Sequence, residues 1–267
     1  MIVRNQSDGS VVMITQNDHA KLAGLFAAHW GNARFERPRP YASMVRAAQY
    51  HDGGWLRYET NPHLDPATGQ SPSYQQVPSD APQLAAYQWA IDMLTEIDSY
   101  TGLMVSRHRT GLWQSRYGVM TKPPPGPPRK LSDEIRDFIA RNEARQHVIT
   151  AGHDRHEVAV NYNLLQVWDL LSLYVCSSET LSQHVIEPVP VGYAQASGTT
   201  MHLNPVATTR IEIDPFPFDQ PSLGIGVVYR RLHRDDLRDL DTFRAAYFGA
   251  VPQIAAFTLA GPSAARH

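Results

Sequence analysis

A chain of 267 residues, 42% hydrophobic and 19% charged, has ample material for a core and the length of one large domain or a domain with an appendage. With 24 basic and 26 acidic side chains the formal charge is -2, which leaves no basic footprint for nucleic acid or an anionic membrane surface. No window approaches the roughly 18 apolar residues of a membrane span, and the first residues lack the basic and apolar regions of a secretory signal; a soluble, cytoplasmic protein is expected, in keeping with its one cysteine, Cys176, set in an apolar run.

Residues 2–4 and 11–14 read as short extended runs around the turn-rich NQSDGS, a hairpin or a pair of edge strands. Asn17 or Asp18 can cap a helix whose Leu22, Ala23, Phe26 and Trp30 recur at helical spacing, with His19 on the same face and Gly31-Asn32 at its end. A second helix over 42–52 stops at Gly53-Gly54, and 61–82, rich in Pro, Ser, Asp and Gly, reads as a long loop. Residues 83–116 read as two helices broken near 99–102, and PPPGPP at 123–128 as a surface linker or flap. Ser132 caps a helix running to about residue 146, and a long helix over 156–178 contains LLQVWDLLSLYVC. Alternating segments at 200–204, 210–214 and 223–231 then predict strands, a helix follows over 235–247, and the last residues read as frayed. The fold class expected is mainly α, a helical bundle over 1–198 with a short β element, carrying a small β/α extension over 199–267 whose antiparallel sheet comes mostly from the carboxy-terminal part.

Asp169 is the most informative residue, the only charged side chain between Leu164 and Cys176, on a helical face it shares with Leu165, Leu173 and Cys176. A carboxylate buried there must be protonated, paired with a cationic side chain or bound to a cation. His19, on an apolar helix face, is either a hydrogen-bonded core residue or a ligand. His51-Asp52 closes a helix containing Val45, Ala47 and Ala48; the following Gly53-Gly54 would let the backbone turn sharply beside an ion, and Trp55 would wall it off. A second such dipeptide, His153-Asp154, lies in the polar TAGHDRHE and reads as a helix cap or solvated loop. His108, between Arg107 and Arg109 in VSRHRTGLW, reads either as an anion-binding group or as a surface basic cluster.

Four candidate ligands in the order His, His-Asp, Asp, each on a separate helix, resemble the HD-domain superfamily of metal-dependent phosphohydrolases. More closely, QNDHAKLAGLFAAHW, QYHDGGWLRYE, YTGLMVSRHRTGLW, LLQVWDLLSLYVC and IDPFPF, spread over residues 16–218, are similar to the DUF3891 family of uncharacterised bacterial proteins. The resemblance implies an HD-type helical core with His19, His51, Asp52 and Asp169 as metal ligands and His108 as an extra histidine beside them. The chain departs from the nucleotide-cleaving members at Gly53, Gly54 and Trp55, where some of them keep a carboxylate; Glu59 is the nearest downstream.

Two histidines and two carboxylates suit one divalent ion of the Mn, Fe, Co, Ni or Zn group, or two ions if His108 joins a second set. The expected function is a metal-dependent hydrolase acting through a metal-activated water: its catalytic residues would be Asp52, His108 and Arg107, and its small phosphorylated or otherwise anionic metabolite would meet Arg107, His108, Arg109 and Trp55. The alternatives are an HD-type di-iron oxygenase and a non-catalytic, metal-stabilised binding domain. A homodimer through an edge strand stays open, and nucleic acid and membrane are not expected as partners.

Overall fold

Apolar runs punctuated by turns set the first elements. β1 (Ile2–Asn5) and β2 (Ser10–Ile14) pair antiparallel from Ile2 opposite Ile14, joined by a turn in which Gly9 takes φ +82°. Val12 and Ile14 face the main core while Val11 and Met13 enter a second cluster on the other side. β2 is therefore buried on both faces, which is why it reads VVMI without alternation. The computed structural model describes residues 1–116, 118–119, 131–194 and 198–263. The PPPGPP segment at 123–128 lies outside the described residues.

Apart from α2 and α3, the helices begin where short polar side chains can accept from the first free backbone N–H groups. Thr15 caps α1 (Gln16–His29), and α2 (Tyr41–Tyr50) runs into His51. A 3-10 turn (Gly53–Trp55) and the single-turn α3 (Leu56–Glu59) follow. Asp80 caps α4 (Ala81–Ile97), and Asp98 both ends it and caps α5 (Ser99–Trp113). Ser132 caps α6 (Asp133–Thr150), and Asp154, from the second His-Asp pair, caps α7 (Arg155–Ser177) by accepting from the His156 and Glu157 N–H groups. None of the described helices is long and apolar enough to cross a membrane.

Beyond α7 come β3 (His184–Val189), β4 (Thr199–Ala207), β5 (Arg210–Asp214), β6 (Ser222–His233), a 3-10 turn (Arg234–Leu237), α8 (Leu240–Gly249) and β7 (Gln253–Ala260). All seven strands form one sheet in the order β1-β2-β6-β7-β5-β4-β3, antiparallel except for the β5–β7 pair. α7 packs against both β1 and β3, the two ends of that order, so the sheet has to curl around it. α1 lies against β6 on the same concave side, and α8 seals the second cluster, with Phe243 and Tyr247, on the convex side.

This corrects the mainly-α expectation: the chain is 48% helix and 21% strand, with a seven-stranded, curled mixed sheet in place of a helical bundle with a small one. The strands expected at 200–204, 210–214 and 223–231 are β4, β5 and β6, but three things enlarge the sheet. The amino-terminal strands join it through the pairing of β2 with β6, across the expected boundary at residue 198. β3 carries Pro188, a residue that weakens a strand reading but is tolerated at a sheet edge. β7, a stretch to which the sequence reading assigned no element, inserts between β6 and β5, where Gly226 leaves room for Ile254: a Cβ there would come 2.8 Å from the Ile254 Cγ2.

The DPFPF segment docks on the end of α1. Gly31 N–H donates to the Pro217 carbonyl at 2.9 Å, and Phe218 packs edge-on against Trp30. Trp30 in turn meets Trp168 of α7 edge-on, which locks α1 to α7 one residue from Asp169.

Candidate metal centre

Four elements deliver five side chains to one buried point. His19 lies in the first turn of α1, His51 and Asp52 follow α2, His108 projects from α5 and Asp169 from α7; none is more than 5% exposed. Asp52 Oδ2 stands 3.1 Å from His19 Nε2 and 3.9 Å from His51 Nε2, and Asp52 Oδ1 stands 3.6 Å from His108 Nε2. Asp169 Oδ1 is 3.2 Å from His51 Nε2 and 3.8 Å from His19 Nε2. Metal–donor bonds of about 2.1 Å place neighbouring donors roughly 3 to 4 Å apart, so these spacings are those of ligands around a common centre. Two donor triads, His19–His51–Asp169 and His51–Asp52–His108, share His51.

The outer partners of two rings assign their tautomers. Ser172 Oγ donates to the Asp169 carbonyl at 2.8 Å, so it can only accept from His19 Nδ1, also 2.8 Å away. His51 Nδ1 lies 2.8 Å from the Ala48 carbonyl, an acceptor, and must carry the proton there. In the neutral form both rings therefore turn an Nε2 lone pair inward, the arrangement that orients metal-binding histidines. His51 Nε2 stands within ion-pair range of Asp169.

Electrostatics reinforce the cluster. Burial pulls the His51 pKa down, but Asp169 and then Asp52 overcome it and hold the ring at about 9. Burial would raise the Asp169 carboxyl, yet the His51 charge facing it brings it to about 2. Asp52 is likewise held well below the carboxylate range, against burial, by the facing rings of His108 and His19. His108 goes the other way, its pKa lowered because burial outweighs the pull of Asp52. Two ionised carboxylates in a core demand compensating positive charge. Without an ion, the proton on His51 supplies part of it.

Around the five lie Gln16, Tyr87 and Ser172, which the sequence reading passed over, and Glu59, which it named only as the nearest downstream carboxylate. Gln16 Nε2 donates to Asp52 Oδ2 at 3.1 Å, and the Tyr87 hydroxyl donates to Asp52 Oδ1 at a long 3.4 Å. Glu59, 6% exposed, accepts from the Gln16 N–H at 2.5 Å and the Asn17 N–H at 3.5 Å, tying α3 to the first turn of α1. Gln16 and Ser172 each stand three residues from a ligand, on the same helix face. Tyr87 carried no such local signal; it arrives because Gly54 has no side chain, a Cβ there falling 2.8 Å from the Tyr87 Cα.

The remaining sequence candidates are placed differently. Neither Gly53 nor Gly54 has a positive φ, so the backbone freedom expected of the pair is not used; Gly54 serves close packing against Tyr87 in a 3-10 turn. Trp55, 3% exposed, meets Tyr58 and Tyr87 edge-on and walls the Asp52 side. Arg109 is sandwiched 4.0 Å from the Tyr87 and Trp113 ring centres and donates to Gln83. Arg107 turns towards α6, where its Nη2 donates to the Thr150 hydroxyl.

The family model DUF3891, described as a protein of unknown function, matches residues 1–234. The chain belongs to the DUF3891 family. No curated protein and no solved structure matches it. The matched region contains every residue of the DUF3891 centre, while α8 and β7 lie beyond it. The likeness to the HD-domain superfamily finds no support in these matches.

Proposed function

We propose that this DUF3891 protein is a metal-dependent hydrolase of a small metabolite, with His19, His51, Asp52 and Asp169 as ligands of one divalent ion of the Mn, Fe, Co, Ni or Zn group. The observation that carries the reading is the convergence of two tautomerically fixed imidazoles on two buried, ionised carboxylates. The order His, His-Asp, Asp is that of the HD-domain phosphohydrolases, and the support it lends concerns ligand order and not fold.

When bound, such an ion brings the pKa of a coordinated water towards neutrality. The side chains do the rest. Asp52 presents Oδ2 to the ligand set and Oδ1 to Tyr87 and His108, so it can orient a water while it ligates. His108, kept neutral near pH 7 by burial, can take a proton at Nε2 and return it to a leaving group. Trp55 and Tyr87 keep bulk water from the Asp52 side. Arg109 adjoins the centre through Tyr87 but is held between the Tyr87 and Trp113 rings and bonded to Gln83, so the reading does not require an anionic group on the metabolite.

Elemental analysis of the purified protein, paired with turnover of phosphate and carboxylate esters, tests the reading. Asp52→Ala should lose both the ion and the turnover. Hydrolysis that persists in the metal-stripped variant ends the proposal. A di-iron oxygenase is the second reading, supported by the sharing of His51 between two donor triads. Two irons per chain, with oxygen consumed on substrate addition, would move the assignment there.

A further inference from the structure

A cleft of about 450 Å³ opens between β1, the 65–76 loop and the end of α7, within the size range of small-molecule sites. Its walls are polar and almost uncharged. Gln70, Gln75 and Gln76 supply amides, and Thr68 and Ser73 supply hydroxyls. Among the described residues no lysine or arginine lines it, and Asp65 is its one acid. The loop is held in place: Tyr74 N–H donates to the Met1 carbonyl at 2.8 Å, Asp65 N–H to the Gln70 carbonyl at 2.8 Å, and Gly69 closes the turn at φ +64°.

The cleft lies beside the metal centre. Ser71 and Pro72 are walls both of the cleft and of a void of about 20 Å³, whose other side is Trp55 and Glu59. Glu59 holds the Gln16 N–H, and the Gln16 side chain holds Asp52. Tyr74, a wall of the cleft, lies within electrostatic reach of the centre: burial first, then the charges of Asp169 and Asp52, push its phenol up to about 12.

We propose that this cleft is a ligand site adjoining the Asp52–Asp169 centre and that it selects uncharged small molecules rich in hydroxyl and amide groups, of about the size of a monosaccharide. Amides and hydroxyls that both donate and accept match the alternating donors and acceptors of such a ligand. An anionic headgroup would find no cation in the walls and would face Asp65. The ligand class deepens the hydrolase reading and rests on it for the reaction, though the cleft and its lining do not.

The test is saturation-transfer NMR on the full chain with a set of neutral hexoses and N-acetylhexosamines against hexose phosphates and hexuronates. It is run on the parent protein and on Thr68→Trp and Gln75→Trp. Both replaced residues are exposed, so each variant should fold while its indole fills the cleft. Neutral members should bind, the anionic ones more weakly, and each variant should lose about ten-fold or more in affinity, 1.4 kcal/mol. Absence of any neutral binder, preference for the anionic members, or binding undiminished in both variants would overturn the proposal. Metal content measured in the same samples reports separately on the hydrolase reading.

Discussion

Ser172 Oγ accepts from His19 Nδ1 and donates to the carbonyl of Asp169, so one hydroxyl fixes the ring on α1 against the carboxylate-bearing turn of α7. Ser172→Ala removes the acceptor and leaves the His19 N–H buried and unpaired. Loss of such an orienting partner costs about 10- to 100-fold in metal affinity. The unsatisfied donor also costs about 1–3 kcal/mol of folding stability. Competition with a chromogenic chelator measures the first and urea denaturation the second; unchanged affinity would remove Ser172 from the centre.

Gly54 and Gly53 are neighbours with opposite expected tolerances. A Cβ on Gly54 would press on the Tyr87 Cα and ring at 2.7–2.8 Å, whereas one on Gly53 would meet the Ala90 Cβ at an ordinary 3.6 Å. Gly54→Ala should therefore destabilise by about 1–3 kcal/mol through overpacking and move Tyr87 off Asp52. Gly53→Ala should stay within about 1 kcal/mol of the parent. Denaturation midpoints of the two variants, compared side by side, check the difference.

The titration of His51 and Asp169 sets a pH window. His51, at about 9 folded against 6.5 for the free ring, contributes stability that is complete below pH 6.5 and lost as pH rises through 9. Asp169, at about 2 against 3.8, contributes stability present above pH 3.8 and lost as pH falls through 2. Chelator-treated protein should thus melt at its highest temperature between those limits and lower at pH 9. An ion on His51 replaces that proton, so metal affinity should rise with pH up to about 9 and binding should release a proton. Calorimetry in buffers of different ionisation enthalpy measures the release, and proton-free binding at pH 7 would contradict it.

Legibility in the sequence followed the range of each interaction. The Ser132 cap, the apolar faces of α1 and α7 and the stranded Asp169 are local and readable from a few neighbouring residues, whereas the α1 cap expected at Asn17 or Asp18 is Thr15, just before the helix. The ligand order added His19, His51 and Asp52, which the fold brings together with Asp169 and His108. What escaped depends on partners far along the chain. β2 pairs with β6 at the far end of the chain, Val12 opposite Arg231, a partnership that no periodicity reports. β7 is strand only because β5 and β6 flank it, its own alanines being indifferent. Arg107 and Arg109 sit two apart on one helix, so they point to different sides, one to Thr150 and the other between two rings.

Glu59 is expected to matter without touching the ligand set. Its buried carboxylate, whose pKa burial pushes up, accepts from the first two N–H groups of α1, and Gln16, which bears one of them, donates to Asp52. Glu59→Ala leaves those donors without an acceptor and should cost about 2–4 kcal/mol, from one to two buried unpaired groups. Glu59→Gln keeps an acceptor oxygen and should recover part of that loss. If Glu59 positions Asp52 through Gln16, metal affinity should fall in the order parent, Glu59→Gln, Glu59→Ala. In Gln16→Ala, which cuts the link to Asp52 while the backbone N–H remains, affinity should fall with little further loss of stability. Chelator competition and urea denaturation on the three variants separate positioning from packing: equal metal affinity in all three would confine Glu59 to capping α1.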